Sequence, residues 1–68
     1  MQKFSKTNLV WIIACQMSGD EMPKQWQIIT GYRALVRSIL SRKRLGLPVY
    51  EHMVEYREAK KIIFPNSH

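Results

Sequence analysis

Apolar residues recur at three- and four-residue spacing through the middle of this chain. The repeat consists of Ile28, Ile29, Tyr32, Leu35, Val36, Ile39 and Leu40. Side chains three and four residues apart share one face of a helix, so this spacing predicts a single long amphipathic α-helix. We expect it to cover about residues 22–45, with Asp20 and Glu21 near its start and Gly46 as its terminator.

Glycine and proline divide the rest of the chain into two further segments. We expect helices over about residues 7–18 and about residues 48–64, with Pro48 and Pro65 bounding the latter. The polar residues that could cap the first helix are Ser5, Thr7 and Asn8. The β-branched residues of the first segment leave a strand as an alternative. Residues 1–68 are thus predicted to form a single all-α domain, a small three-helix fold with a long central helix.

The apolar composition of the first segment predicts a homodimer. If it is helical, it is apolar almost all the way round, and such a helix must be covered on several sides. A chain of 68 residues buries only about 60% of the surface that its unfolded form exposes. Since two other helices could hardly cover the first one, we expect a dimer interface at Trp11, Ile12 and Ile13.

The charge distribution is one-sided. The chain carries 11 Lys and Arg against 5 Asp and Glu, a formal net charge of +6. No acidic residue lies between Glu21 and Glu51, whereas six basic residues do: Lys24, Arg33, Arg37, Arg42, Lys43 and Arg44. Such a balance suits contact with nucleic acid, an anionic membrane or an acidic protein surface.

A strip of small residues is predicted on the helix face opposite the apolar repeat. Its members are Gly31, Ala34, Ser38 and Ser41. Small side chains let another backbone approach closely. The arginines at the edge of the strip would bind phosphates or carboxylates. We expect a docking track for a nucleic-acid backbone or an acidic helix. The alternative is a solvated face that nothing touches.

The junction between the second and third segments resembles the turn of helix-turn-helix proteins. The resemblance covers residues 44–48, Arg-Leu-Gly-Leu-Pro, and implies a recognition helix in the third segment. Arg42 stands where a small residue is usual in that family. Glu51, Glu55 and Glu58 are expected to face outward and would repel phosphates. The central helix is therefore the better candidate surface.

The sequence offers no support for catalysis, and we expect no enzyme, cofactor or metal site. No nucleophile is placed by spacing beside His52. Cys15, His52 and His68 are too few and too scattered to ligate zinc. The tryptophans and tyrosines do not alternate with the basic residues on one helical face, so we interpret them as core or interface residues.

Cys15 supports two interpretations. Residues 12–15, Ile-Ile-Ala-Cys, resemble a lipoprotein signal box that follows Lys3 and Lys6, which would make Cys15 a lipid-bearing residue. The apolar stretch is short for a signal peptide and too short to span a bilayer. The favoured interpretation is a cytoplasmic protein, since a lone cysteine fits a reducing compartment.

The sequence therefore favours a small non-enzymatic regulatory protein that binds nucleic acid, mainly the phosphate backbone, through the basic face of its central helix. The alternative is a protein-binding inhibitor or adaptor, of the type that phages and plasmids carry as accessory products. It would dock the same basic face on an acidic partner surface.

Overall fold

Three helices make up the fold in the computed structural model, which describes residues 4–66. They are α1 (Leu9–Ser18), α2 (Gln25–Arg44) and α3 (Tyr50–Ile63). The all-α prediction with a long central helix is confirmed. Lys3 and His68, which entered the sequence interpretation, lie outside the described residues.

Glycine ends the first two helices, as the sequence predicts. Gly19 and Gly46 have φ values of 76° and 73°, in the left-handed region that glycine adopts most readily. Beyond α2, the Leu47 N–H donates to the Arg42 carbonyl at 2.8 Å and the Gly46 N–H donates to the Lys43 carbonyl at 3.1 Å. These two bonds form a Schellman motif, which satisfies carbonyls at the end of the helix.

The start of α2 differs from the prediction by three residues. The helix begins at Gln25, so Pro23 lies before it and not in its first turn. The reason is a local cap: Oε1 of the buried Gln27 accepts the Lys24 N–H at 2.6 Å, and its Nε2 donates to Asp20 Oδ2 at 2.9 Å. Residues 20–24 therefore form an irregular connection that leads into the helix, and the Gln27 side chain is hydrogen-bonded to both ends of this connection.

The buried face of α2 is rotated from the predicted one. Its buried residues are Gln27, Gly31, Leu35 and Ile39. Leu40, expected in the core, is 57% exposed, whereas Gly31, expected to face outward, is buried. The core forms where Val10 of α1 and Ala59 of α3 meet Leu35 and Ile39. At Gly31 the backbone of α2 packs closely against α1, beside Val10 and Ala14.

α3 is joined to α1 through a carboxylate. Glu55 Oε2 accepts the Leu9 N–H at 2.6 Å, and Asn8 Oδ1 accepts the Val10 N–H at 2.9 Å. Both oxygens satisfy amide groups at the start of α1, where a negative charge also complements the helix dipole. Glu55 is therefore not an outward-facing residue, which corrects the prediction for α3.

The outer face of α3 carries charges of both signs. Glu51 and Glu58 are exposed, but so are Arg57 and Lys61. The exposed surface of α3 is thus of mixed charge, and not acidic alone as the expected positions of its glutamates imply.

None of the helices within residues 4–66 combines the length and the apolar composition needed to cross a membrane.

Candidate nucleic-acid interface

Three arginines form an exposed line along α2. Arg33, Arg37 and Arg44 are all exposed, and their spacing of four and seven residues places them on one side of the helix. We call this line the arginine ridge. None of the hydrogen bonds among the described residues uses these side chains; the bonded carboxylates of Glu55 and Asp20 contact a backbone N–H and an amide instead. The ridge therefore presents its guanidinium groups to solvent.

The other three predicted basic residues do not belong to the ridge. Lys24 precedes α2 and Lys43 lies at its end, and both are exposed. Arg42 follows Leu35 by seven residues and so continues the buried face. It is half-buried, and its Nε is covered without a hydrogen-bond partner among residues 4–66. Its position therefore separates Arg42 from the exposed arginines of the ridge.

The strip of small residues is divided between the core and the surface. Gly31 is buried, Ala34 and Ser38 are half-buried, and Ser41 is exposed. A Cβ added at Gly31 would lie 2.8 Å from the Val10 carbonyl oxygen and 3.0 Å from the Ala14 nitrogen. Gly31 is therefore a point of close approach, but the backbone that approaches it is α1 of the same chain.

A cleft lined by tyrosine and arginine opens beside the ridge. Its lining residues are Tyr32, Arg33, Val36, Arg37 and Tyr56, and its volume is about 390 Å³. The rings of Tyr32 and Tyr56 stack with centroids 5.4 Å apart, and Phe64 meets Tyr32 edge-on at 5.8 Å. We call this feature the tyrosine cleft. It brings aromatic rings from α2 and α3 next to two ridge arginines.

The sequence interpretation missed the tyrosine cleft. Tyr32 belongs to the apolar repeat of α2, which predicts a core position, and both Tyr32 and Tyr56 do pack against the core cluster. The one signal for a role at the surface is that Tyr32 adjoins Arg33 in sequence. Tyr56 comes from another helix, so its proximity depends on how α3 packs on α2.

The pKa of Tyr32 is raised to about 12, first by burial and then by the neighbouring Tyr56 phenol. Burial disfavours the charged phenolate. The Tyr32 hydroxyl therefore stays neutral around pH 7, as a group able to donate and accept hydrogen bonds within the tyrosine cleft.

Apolar side chains are exposed near both ends of the arginine ridge. Trp26 is 64% exposed and Leu40 is 57% exposed; Trp26 precedes Arg33 by seven residues, and Leu40 precedes Arg44 by four. Trp26 also lines a second cleft of about 290 Å³ between α1 and α2. Tryptophan and arginine are the side chains most often decisive in protein interfaces.

The predicted dimer residues have different environments. Ile13 packs against the core of its own chain. Trp11 is half-buried and packs against Phe4, with ring centroids 6.3 Å apart. Ile12 is also half-buried. All three are half-buried, and of the three only Ile13 packs against the core cluster.

Within the described range, no three His, Cys, Asp or Glu residues are grouped so that they could hold a metal ion. Cys15 is half-buried, with its thiol 3.8 Å from the Glu21 carbonyl oxygen. His52 is half-buried on α3.

Comparison of the chain with known protein families, curated proteins and solved structures finds no match.

Proposed function

We propose that this chain is a small non-enzymatic regulatory protein that binds the phosphate backbone of nucleic acid through the arginine ridge. The observation that carries the proposal is the alignment of Arg33, Arg37 and Arg44 on one exposed side of α2. The net charge of +6 supports it, because a positive field raises the rate of encounter with a polyanion. A cytoplasmic location suits this function.

The spacing of the ridge fits a polyanion. Arg33 and Arg44 are separated by about 16 Å of helix rise, with Arg37 one turn beyond Arg33. A duplex presents one phosphate about every 3.4 Å along each strand, so several phosphates lie within the length of the ridge. A guanidinium group can bind two phosphate oxygens at once. Contacts of this kind do not depend on the base sequence of the nucleic acid.

The salt dependence of binding tests this proposal. Fluorescence anisotropy of labelled duplex DNA would be measured between about 50 and 200 mM salt. Three phosphate contacts predict a log–log slope near −2.7, at about −0.9 per contact. Replacing Arg33→Gln and Arg37→Gln together removes two contacts, so the slope should become shallower by about 1.8.

The matched control removes the same charge elsewhere. Lys6→Gln with Lys61→Gln eliminates two exposed cations outside α2 and should leave the slope nearly unchanged. Equal losses in both double variants would assign binding to net charge and not to the ridge. A lack of binding to duplex and single strands alike at about 50 mM salt would overturn the proposal.

An acidic protein partner is the second candidate. The exposure of Trp26 and Leu40 on the ridge side favours it, because phosphate binding makes no use of apolar side chains while protein interfaces do. An inhibitor or adaptor of this kind, such as a phage or plasmid accessory protein, predicts a stoichiometric complex that survives nuclease. That complex should be lost in the double variant Arg33→Gln with Arg37→Gln.

A homodimer remains part of the proposal. The chain measures 34 × 30 × 18 Å, and a body this thin leaves α1 only partly covered. Trp11, Ile12 and Ile13 are half-buried apolar side chains of α1 that a second copy would cover.

A further inference from the structure

We propose that the tyrosine cleft accepts an unpaired base of a single-stranded nucleic acid while Arg33 and Arg37 bind the phosphates on either side. This inference rests on the proposed function and adds to it the substrate class, single strands in preference to duplexes.

The lining of the cleft suits a nucleotide. The cleft is a shallow, open depression of about 390 Å³, which offers a base a surface to lie on and not an enclosing pocket. Tyr32 and Tyr56 supply aromatic surface, and Arg33 and Arg37 supply two cations at its rim. A base with its flanking phosphates presents the complementary features, an aromatic face between negative charges.

The stacked geometry of the tyrosines provides a platform. The Tyr32 and Tyr56 rings lie nearly parallel, with an interplanar angle of 24°. The Phe64 ring contacts Tyr32 edge-on, with an interplanar angle of 72°. Each ring covers one face of the other, and both pack against the core. A base would therefore stack on a remaining face, on rings already held in place, which lowers the entropic cost of binding. Stacking on such rings tolerates every base, because each has a π face.

The same geometry favours single strands. In a duplex the base faces are stacked on one another and are not free to meet a protein ring. A single strand splays its bases and lets its backbone follow a cationic line beside them. The ridge alone would bind both forms, whereas the tyrosine cleft adds affinity only for the unpaired one.

The Tyr32 hydroxyl adds a hydrogen-bonding group to the platform. Since it stays protonated around pH 7, it is able to donate to a base or phosphate oxygen without repelling the phosphate charge. Arg37 extends the surface, because a guanidinium plane also stacks on bases.

The experiment compares three probes of equal length: a DNA single strand, the same sequence as a duplex, and an abasic single strand that keeps the phosphates and lacks the bases. Affinities would be measured at one salt concentration, about 100 mM. We expect the single strand to bind more tightly than both other probes. Tyr56→Leu keeps an apolar side chain and removes the ring, and should weaken binding to the single strand by about 5- to 100-fold.

Two variants guard against a trivial result. Tyr56→Phe keeps the ring and should retain most of the affinity for the single strand. Tyr56→Leu should retain the parent affinity for the duplex, which an unfolded variant would not do. Tyr50→Leu makes the same substitution on α3 at a residue that is 79% exposed and outside the cleft, and should leave affinity unchanged.

The outcomes separate this inference from the proposed function. If Tyr56→Leu binds all three probes like the parent protein, or if the abasic strand binds as tightly as the normal one, base stacking is overturned while ridge binding stands. If none of the three probes binds, the proposed function fails, and the inference fails with it. A nuclease-resistant protein complex without binding to any probe would likewise overturn both.

Discussion

At the scale of single residues, the absence of a side chain at position 31 decides how two helices meet. The nearest atoms to a Cβ placed there belong to the α1 backbone, with the Val10 carbonyl oxygen at 2.8 Å. Backbone atoms in a helix do not move aside as the end of a flexible side chain does. The cost of a glycine within a helix, about 1 kcal/mol relative to alanine, is therefore offset by close packing.

Gly31→Ala should consequently destabilise the protein, although alanine is the better helix former. We expect a loss of about 1–2 kcal/mol in the free energy of unfolding, since overpacking outweighs the gain in helix propensity. Urea denaturation followed by circular dichroism measures this change. Ser41→Ala, at an exposed position of the same helix, should change stability by less than about 0.5 kcal/mol. A Gly31→Ala protein as stable as the parent would show that α1 moves away at little cost.

At the scale of secondary-structure elements, one carboxylate joins the third helix to the start of the first. Glu55 accepts the Leu9 N–H, while the neighbouring Asn8 Nδ2 donates to the Glu55 carbonyl at 3.4 Å. The N-terminal cap of α1 is thus divided between a residue of its own and a residue of α3. Folding of α1 and docking of α3 are therefore linked.

Glu55→Ala should cost about 1.5–3 kcal/mol of stability, because it removes a hydrogen bond to an ionised group at a helix N-terminus. The control is Glu58→Ala, one turn further along α3 at an exposed position, where we expect a change below about 0.5 kcal/mol. Denaturant titration of the two variants provides the comparison. Similar losses in both would mean that the Glu55 contact contributes nothing beyond helix propensity and surface charge.

The helices were predictable because their signals are local. Gly19 and Gly46 end helices through their own backbone conformation, and the spacing of apolar residues needs no partner to be read. The sequence did not show which of Ser5, Thr7 and Asn8 would cap α1. The reason is that Glu55, which is 46 residues after Leu9 in sequence, also caps the start of this helix.

The orientation of α2 also lay beyond the sequence. Helical spacing identified the exposed arginine ridge but placed Gly31 outside and Leu40 inside. Which side of an amphipathic helix is buried depends on what packs against it, and here α1 packs against Gly31. The tyrosine cleft was missed for the same reason, because Tyr32 and Tyr56 meet only when α2 and α3 are assembled.

At the scale of the whole molecule, the small thickness of the fold limits the size of its hydrophobic core. With a shortest dimension of 18 Å, the fold fully covers few large side chains, Leu35 and Val10 among them. Small domains with such cores commonly gain stability from association.

Sedimentation equilibrium tests for the dimer. We expect a species of twice the 8.1 kDa chain mass, which dissociates on dilution. Ile12→Glu would bury a charge in the interface and should yield monomers, whereas Gln16→Glu, an exposed position on α1, should not. A parent protein that sediments as one chain at every concentration would refute the dimer.

The contact at Gly31 also bears on how this protein tolerates change. Nineteen of the twenty amino acids carry a Cβ, and each of them would collide with the α1 backbone. In a randomised library selected only for folding, this position should retain its parent residue while nearby surface positions drift. Variants that survive a selection for folding alone would thus share this glycine and not the arginines.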